Sequence, residues 1–211
     1  MINATNQSQK RELLPAGNYI ARCYSMIHIG TIEEDILGEK KVLNKCRITW
    51  ELPTEMRVFS EEKGEQPTVI SKEYTLSMHE KATLRRDLES WRGKSFTEEQ
   101  AKQFDITKLL GVSCMLNIIH KTTKTGSTFA VISNISSVPK GFTCPDQINP
   151  NFEWNFEDKY DEFALNAFPD FIKDKIKSSD EYKKLTSAII DIEHEHISSV
   201  EQEPETNDLP F

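Results

Sequence analysis

The sequence is short of several things, and each shortage removes a class of explanation. Its four cysteines (Cys23, Cys46, Cys114, Cys144) lie far apart, with no Cys-x-x-Cys pair and no histidine at metal-ligand spacing beside them. That spacing suits neither a disulfide framework nor a zinc site, and predicts buried, reduced thiols of a cytosolic protein. No apolar run of 18 residues occurs, and the opening MINATNQSQKRELL has no apolar stretch. Neither a membrane-spanning helix nor an export signal is expected, and a cytoplasmic location is. Signatures of catalysis are missing too. His28, His79 and His120 are scattered, and His194-Glu195-His196 is too short a cluster to hold a metal unaided. There is no His-Glu-x-x-His, no Gly-x-Ser-x-Gly elbow and no glycine loop leading to Lys-Ser or Lys-Thr. The acids gather in loops and tail instead of facing one another on strands, so no enzyme, cofactor or metal is expected.

What is present is charge, unevenly placed. Hydrophobic residues make up 37% and charged ones 28%, which is polar for a compact chain and implies a segment outside any core. From Asp191 onward there are 7 acids and no Lys or Arg, which leaves 27 acids against 26 bases in residues 1–190. The acidity therefore belongs to the tail, and local distribution has to decide whether the body suits nucleic acid. Two stretches are electropositive: Lys40 to Leu52 holds four bases against Glu51, and Ser113 to Gly141 holds Lys121, Lys124 and Lys140 with no acid.

The first of these stretches organises the rest. With a period of two, Val42, Cys46, Ile48, Trp50 and Leu52 point one way and Lys41, Lys45, Arg47 and Thr49 the other. This predicts a strand with an apolar back and a basic front, ended by Pro53. Before it, Pro15-Ala16-Gly17-Asn18 makes a turn into a bent first strand, Tyr19 to Gly30, and the acidic Thr31 to Glu39 connects the two. After it, 54–67 is an exposed loop and Thr68 to Met78 a third strand. Ser77 and Glu80 fit a capping box, and Leu84, Leu88 and Trp91 form the stripe of a helix stopping at Gly93. Short helical pieces at Glu98–Phe104 and Ile106–Leu110 follow, then strands Val112–Lys121 and Thr128–Val138 about a turn at Thr122–Ser127. Strand, strand, strand, helix, strand, strand predicts a mainly β fold, a five-stranded Greek-key barrel of the OB type with its helical insertion between the third and fourth strands.

Beyond Pro139 the chain changes texture. Three prolines and then Phe152, Trp154 and Phe156 predict an extended aromatic arm, and Pro169 to Lys184 a helix that Leu185 to Ile192 continues. The expected organisation is a nucleic-acid-binding barrel over 1–138, an arm and helix over 139–192, and a disordered acidic tail over 193–211. The helix from Ser178 to Ile192 offers a surface for a homo-oligomer.

Binding an unpaired strand requires cations along the phosphates and exposed rings on which bases stack. Bases and rings alternate on four strands here: Arg22 with Tyr24, Lys41 with Lys45 and Arg47, Lys72 with Tyr74, and Lys121 and Lys124 with Phe129. Trp50 and Trp91 fall on apolar faces and belong to the core. Two other readings fit less of the pattern, an adaptor that binds protein through the barrel and a metal-dependent nuclease using loop acids.

The chain's end is its most specific feature. An acidic stretch leads into Asp208-Leu209-Pro210-Phe211, so that an apolar side chain, a proline and a phenylalanine follow negative charge. Such an end suits a protein partner with a pocket for the ring and basic residues around it. It resembles the tip of bacterial single-stranded DNA-binding proteins, Asp-Asp-Ile-Pro-Phe, with Asn207 in place of one Asp and Leu209 in place of Ile. Pro15-Ala16-Gly17-Asn18-Tyr19 and Arg47-Ile48-Thr49-Trp50-Glu51-Leu52 also look like segments of phage-encoded single-strand binders. The resemblance implies an OB-fold that coats single-stranded DNA in a bacterial host and recruits replication and repair proteins through Asp208, Leu209, Pro210 and Phe211.

Overall fold

The structure is a computed structural model that describes residues 13–188; the expected tail 193–211, its tip and residues 189–192 of the last helix lie outside the described residues. The chain is mainly β. Its strands are β1 (Gly17–Ile36), β2 (Glu39–Ser60), β3 (Gly64–Thr75), β4 (Ser113–Thr122), β5 (Thr128–Ser136) and β6 (Phe152–Trp154). Its helices are α1 (Thr83–Arg92), α2 (Glu98–Lys102), α3 (Glu162–Ala167) and α4 (Asp170–Ser178), with a 3-10 turn at Ile106–Leu109. One antiparallel sheet runs in the order β3-β2-β1-β4-β5, with β6 paired to β1. It curls into a half-barrel, so that β3 and β5, at opposite ends of the order, approach each other, and α1 lies against both. Among the described residues no helix is long and apolar enough to cross a membrane.

Several expected boundaries move. β2 does not stop at Pro53. It continues to Ser60, and the loop expected at 54–67 is strand on either side of a turn at residues 61–63. Proline fits a ladder where no N–H is needed, and its fixed φ is within reach of an extended chain, so it weakens a strand without having to end it. β1 is also longer than expected and closes onto β2 through Leu37 and Gly38 alone. Both have positive φ, 58° and 86°, as the tightest hairpin turns require. The capping box at Ser77 does not form: Ser77 Oγ accepts the N–H of His79 at 3.3 Å, and α1 starts behind Ala82 with no side-chain cap. A box forms instead one helix later, between Thr97 and Gln100.

Contacts divide the described chain in two compact units: the part up to Met26 with Ile48–Phe152, and Ile27–Arg47 with the described part from Glu153 on. These units are not continuous in sequence, because β1 and β2 each run through both. In the first unit Ala21, Cys23, Ile48, Trp50, Leu52, Cys114, Leu116, Ile118, Ile132 and Ile135 are buried from the strands, and Leu84, Leu88 and Trp91 from α1. The alternation read from β2 places Cys46, Ile48, Trp50 and Leu52 as expected, whereas Val42, expected on the same apolar side, is 66% exposed. Each such side chain stabilises the fold by roughly 1.5–3 kcal/mol through burial. The Trp50 and Trp91 rings meet with centroids 5.9 Å apart, and Trp91 Nε1 donates to Ser113 O at 2.8 Å.

The second unit has its own apolar centre. Trp154 is buried among Phe156, Tyr160 and Phe168, with ring centroids 5.1, 5.7 and 5.8 Å away. Leu165, Ile172 and Ile176 are buried with it from α3 and α4. The helix expected as one piece is broken at Ser179, which ends α4 and whose Oγ accepts the N–H of Tyr182 at 3.2 Å, starting a second helical stretch over 180–188. That stretch is tied to β1 by Glu181, whose carboxylate accepts from Thr31 N at 2.6 Å and Thr31 Oγ1 at 2.7 Å. Burial pushes the Glu181 carboxyl up, but the two Thr31 hydrogen bonds, together with its own backbone N–H and nearby His28, leave it below the ordinary range.

Gly30 permits that approach. A β-carbon there would lie 2.7 Å from Cβ of Ser179, and φ is +93°. Gly38 also has positive φ but open space around it. Gly30→Ala should therefore lower the unfolding free energy by about 3 kcal/mol, from backbone strain and overpacking together, and Gly38→Ala by about 1 kcal/mol. Urea denaturation of both variants checks this; equal losses would show that the close approach is unimportant.

Candidate nucleic-acid interface

The β4–β5 hairpin is positioned by its register. Cys114, Leu116 and Ile118 point inward, so Met115, Asn117, Ile119 and Lys121 face out. On β5 the outward partners are Ser136, Asn134, Val131 and Phe129, with the register shifting at Asn117/Ile118. Lys121 and Phe129 are thus directly opposite, where β-carbons sit about 4.5–5.5 Å apart. The turn beyond them is closed by Thr123 N donating to Ser127 O at 2.9 Å and Gly126 N to Thr123 O at 3.0 Å. Lys124 sits in that turn. Lys121 and Lys124 are exposed, neither joins an ion pair among the described residues, and Phe129 is 42% exposed. No acid occurs between Asp105 and Asp146 in the sequence.

β1 extends this outer face. Ala21 and Cys23 are buried, so Asn18, Ile20, Arg22 and Tyr24 point outward, and Asn18, Ile20 and Arg22 pair with Asn117, Met115 and Ser113. The structure thus brings Arg22, Tyr24, Lys121, Lys124 and Phe129 to the same side of three adjacent strands. Arg22 is committed, however. It donates to Gly111 O at 2.7 Å, to Pro145 O at 2.9 Å and more weakly to Cys144 O at 3.5 Å. Tyr24 is half-buried.

The other expected contacts are placed differently. Tyr74 cannot serve as a stacking platform: it is 3% exposed, and its hydroxyl donates to Asp87 Oδ2 at 3.0 Å. Lys72 turns to the same carboxylate at 2.6 Å, with its ammonium 5.1 Å from the Tyr74 ring centre. Asp87 lies on α1, so this cation and this ring join the helix to β3 and do not line a groove. Lys41, Lys45 and Arg47 belong to the second unit. Lys45 is held by Glu34 at 2.5 Å with its side chain 11% exposed, Arg47 stacks 5.3 Å over the Phe171 ring, and Lys41 stays exposed near Glu39 at 3.3 Å. The basic front read from β2 is therefore largely paired within the fold.

The feature missed from sequence is Glu51. It follows Thr49 on the supposedly basic, solvent-facing side of β2, yet it is fully buried. Its Oε1 accepts Ile148 N at 2.8 Å, and its Oε2 accepts Asn149 N at 2.8 Å and Asn149 Nδ2 at 2.7 Å. Its only signal was a lone acid between Trp50 and Leu52, and alternation assigns such a residue to water. Beside it, burial pushes the Cys144 thiol up despite the opposing Arg22 charge, and burial pushes Cys114 up further. Among the described residues none of the four cysteines forms a disulfide, and Cys23, Cys46 and Cys114 are buried. Among the described residues no group of three His, Cys, Asp or Glu side chains could hold a metal ion.

No family model, no curated protein and no solved structure matches the chain.

Tyr74→Phe should lower the unfolding free energy by about 1–3 kcal/mol, because the Asp87 carboxylate loses a buried donor. Oligonucleotide affinity should not change. A loss of affinity with unchanged stability would return Tyr74 to the binding surface.

Proposed function

We propose that this chain is a sequence-nonspecific, non-enzymatic binder of single-stranded DNA built on an OB-type barrel. The support for the barrel type is topological. Three consecutive strands, a helix and a hairpin, with β1 beside β4 and β3 approaching β5, follow the path of a Greek-key OB barrel, whose outer strand surface and hairpin loops commonly take oligonucleotides.

The observation that carries the functional reading is the β4–β5 hairpin: Lys121 directly opposite the exposed Phe129, with Lys124 at the turn and no acid in the segment. A cation beside an exposed ring is the minimum unit for holding a phosphate while its base stacks. The contacts carry no sequence code, since every base has a face to stack and every nucleotide a phosphate. The acidic tip Asp208-Leu209-Pro210-Phe211 then acts separately, repelled by the same phosphates and available to replication and repair proteins.

Binding of oligo-dT across a salt series tests the reading. Log affinity should fall linearly with log salt. Lys121→Ala and Lys124→Ala should each flatten that slope by about 0.7, and Phe129→Ala should cost about 1–3 kcal/mol with the slope unchanged. No binding at low salt would favour a protein adaptor, and shortening of the oligonucleotide on adding Mg²⁺ would indicate a nuclease.

Removal of Leu209–Phe211 should abolish capture of host replication proteins while oligo-dT affinity stays the same or rises. Parallel loss of both activities would refute a separate tip.

A further inference from the structure

We propose that residues 139–151 form a displaceable strap over the outer face of β1 and β2, and that a single-stranded nucleic acid replaces the strap at Arg22. The inference rests on the binding function above and adds a competitor built into the same face. Three observations lead to it.

The strap is held by charge and hardly by apolar burial. It has no helix or strand, none of its residues is buried, and its two large apolar side chains, Phe142 and Ile148, are 62% and 48% exposed. Its hold comes from both ends of an ionic clamp. Arg22 grips the carbonyls of Cys144 and Pro145, and Glu51 grips the N–H groups of Ile148 and Asn149 together with the Asn149 amide. Such polar attachment opens at low free-energy cost compared with the strands beneath it.

The clamp also sits on the face that carries the candidate interface. Arg22 stands between the inward-facing Ala21 and Cys23, and Glu51 between the inward-facing Trp50 and Leu52, so both point outward. By register Arg22 continues the outer surface that bears Lys121 and Phe129.

Finally, Arg22 is incompletely used. Its Nε is buried without a nitrogen or oxygen partner, while its terminal nitrogens donate to neutral carbonyl oxygens and its charge lies beside the Cys144 thiol. A phosphate offers a guanidinium two charged oxygens in a fork geometry that peptide carbonyls do not match. An incoming strand can therefore outcompete the strap at this residue. The Glu51 carboxylate opposes that step, because it loses its donors and faces the phosphates. The strap thus sets a threshold, yielding to a strand that is already held at Lys121, Lys124 and Phe129.

Hydrogen exchange on the full chain, with and without a 30-residue oligo-dT, reads the strap directly. Oligo-dT should speed exchange at the amides of Ile148 and Asn149 while slowing exchange in the β4–β5 hairpin. Asn149→Ala removes one of the three donors to Glu51 without altering charge, and should raise oligo-dT affinity by up to about tenfold. The wild-type exchange result does not depend on that variant folding. Oligo-dT that binds but leaves Ile148 and Asn149 unchanged or slower would overturn the strap proposal and leave the binding function standing. Failure of the wild-type chain to bind oligo-dT at all would overturn both.

Discussion

A carboxylate removed from water must be given donors, and in this chain that demand decides where whole segments go. Glu51 takes two backbone N–H groups and a side-chain amide from residues 148–149. Asp87 takes Lys72 and Tyr74 and so fastens α1 to β3. Arg85, nearly buried on α1, donates to Glu98 and Glu89 and to the carbonyls of Met78 and Phe96. Phe96 N–H and Arg85 hold the Glu89 carboxyl below its usual range. A polar group left without a partner in such places costs about 1–3 kcal/mol, and a charged one more. These contacts fix the connections around a core whose apolar residues would tolerate other arrangements.

The same demand divides the basic residues into two populations. Lys45, Lys72 and Arg85 stand close to carboxylates with little exposure, and Arg22 donates to carbonyls. Lys121 and Lys124 lie on a hairpin that has no acid near it in sequence, and remain in solvent. In the proposed function, attraction for a polyanion rests on the second population, since a paired cation presents little net field. The first population contributes order, holding the outer strands and their covering segment in place.

The second unit rests on a closer fit. Gly30 lets the chain at Ser179 approach β1 without a β-carbon between them, and Thr31 then reaches Glu181 with two hydrogen bonds. The break at Ser179 serves that contact: a continuous helix would carry Glu181 on past the strand along a different line, whereas the extended Ser179, with ψ at 155°, redirects the axis.

Periodicity alone determined most of the apolar side of this protein, with Val42 on β2 as an exposed exception. Ile48, Trp50 and Leu52 on β2 and Leu84, Leu88 and Trp91 on α1 are buried as their spacing requires, and the strand-helix-strand order emerged with the curled sheet. The acid-free hairpin with Lys121 and Phe129 was equally legible, because a short turn keeps its two strands in register whatever else the chain does. What periodicity could not supply was the environment of the other face. Thr49, Glu51 and Tyr74 looked solvent-facing and are buried, Pro53 and Pro67 lie inside strands, and Ser179 interrupts a helix. For Glu51, Thr49 and Tyr74 the outcome depends on a partner from another element, at Asn149, Ser71 and Asp87 respectively. Alternation reports which side of a strand a residue occupies; only tertiary contact decides whether that side meets water, because the partner that excludes the water is encoded as many as 98 residues away.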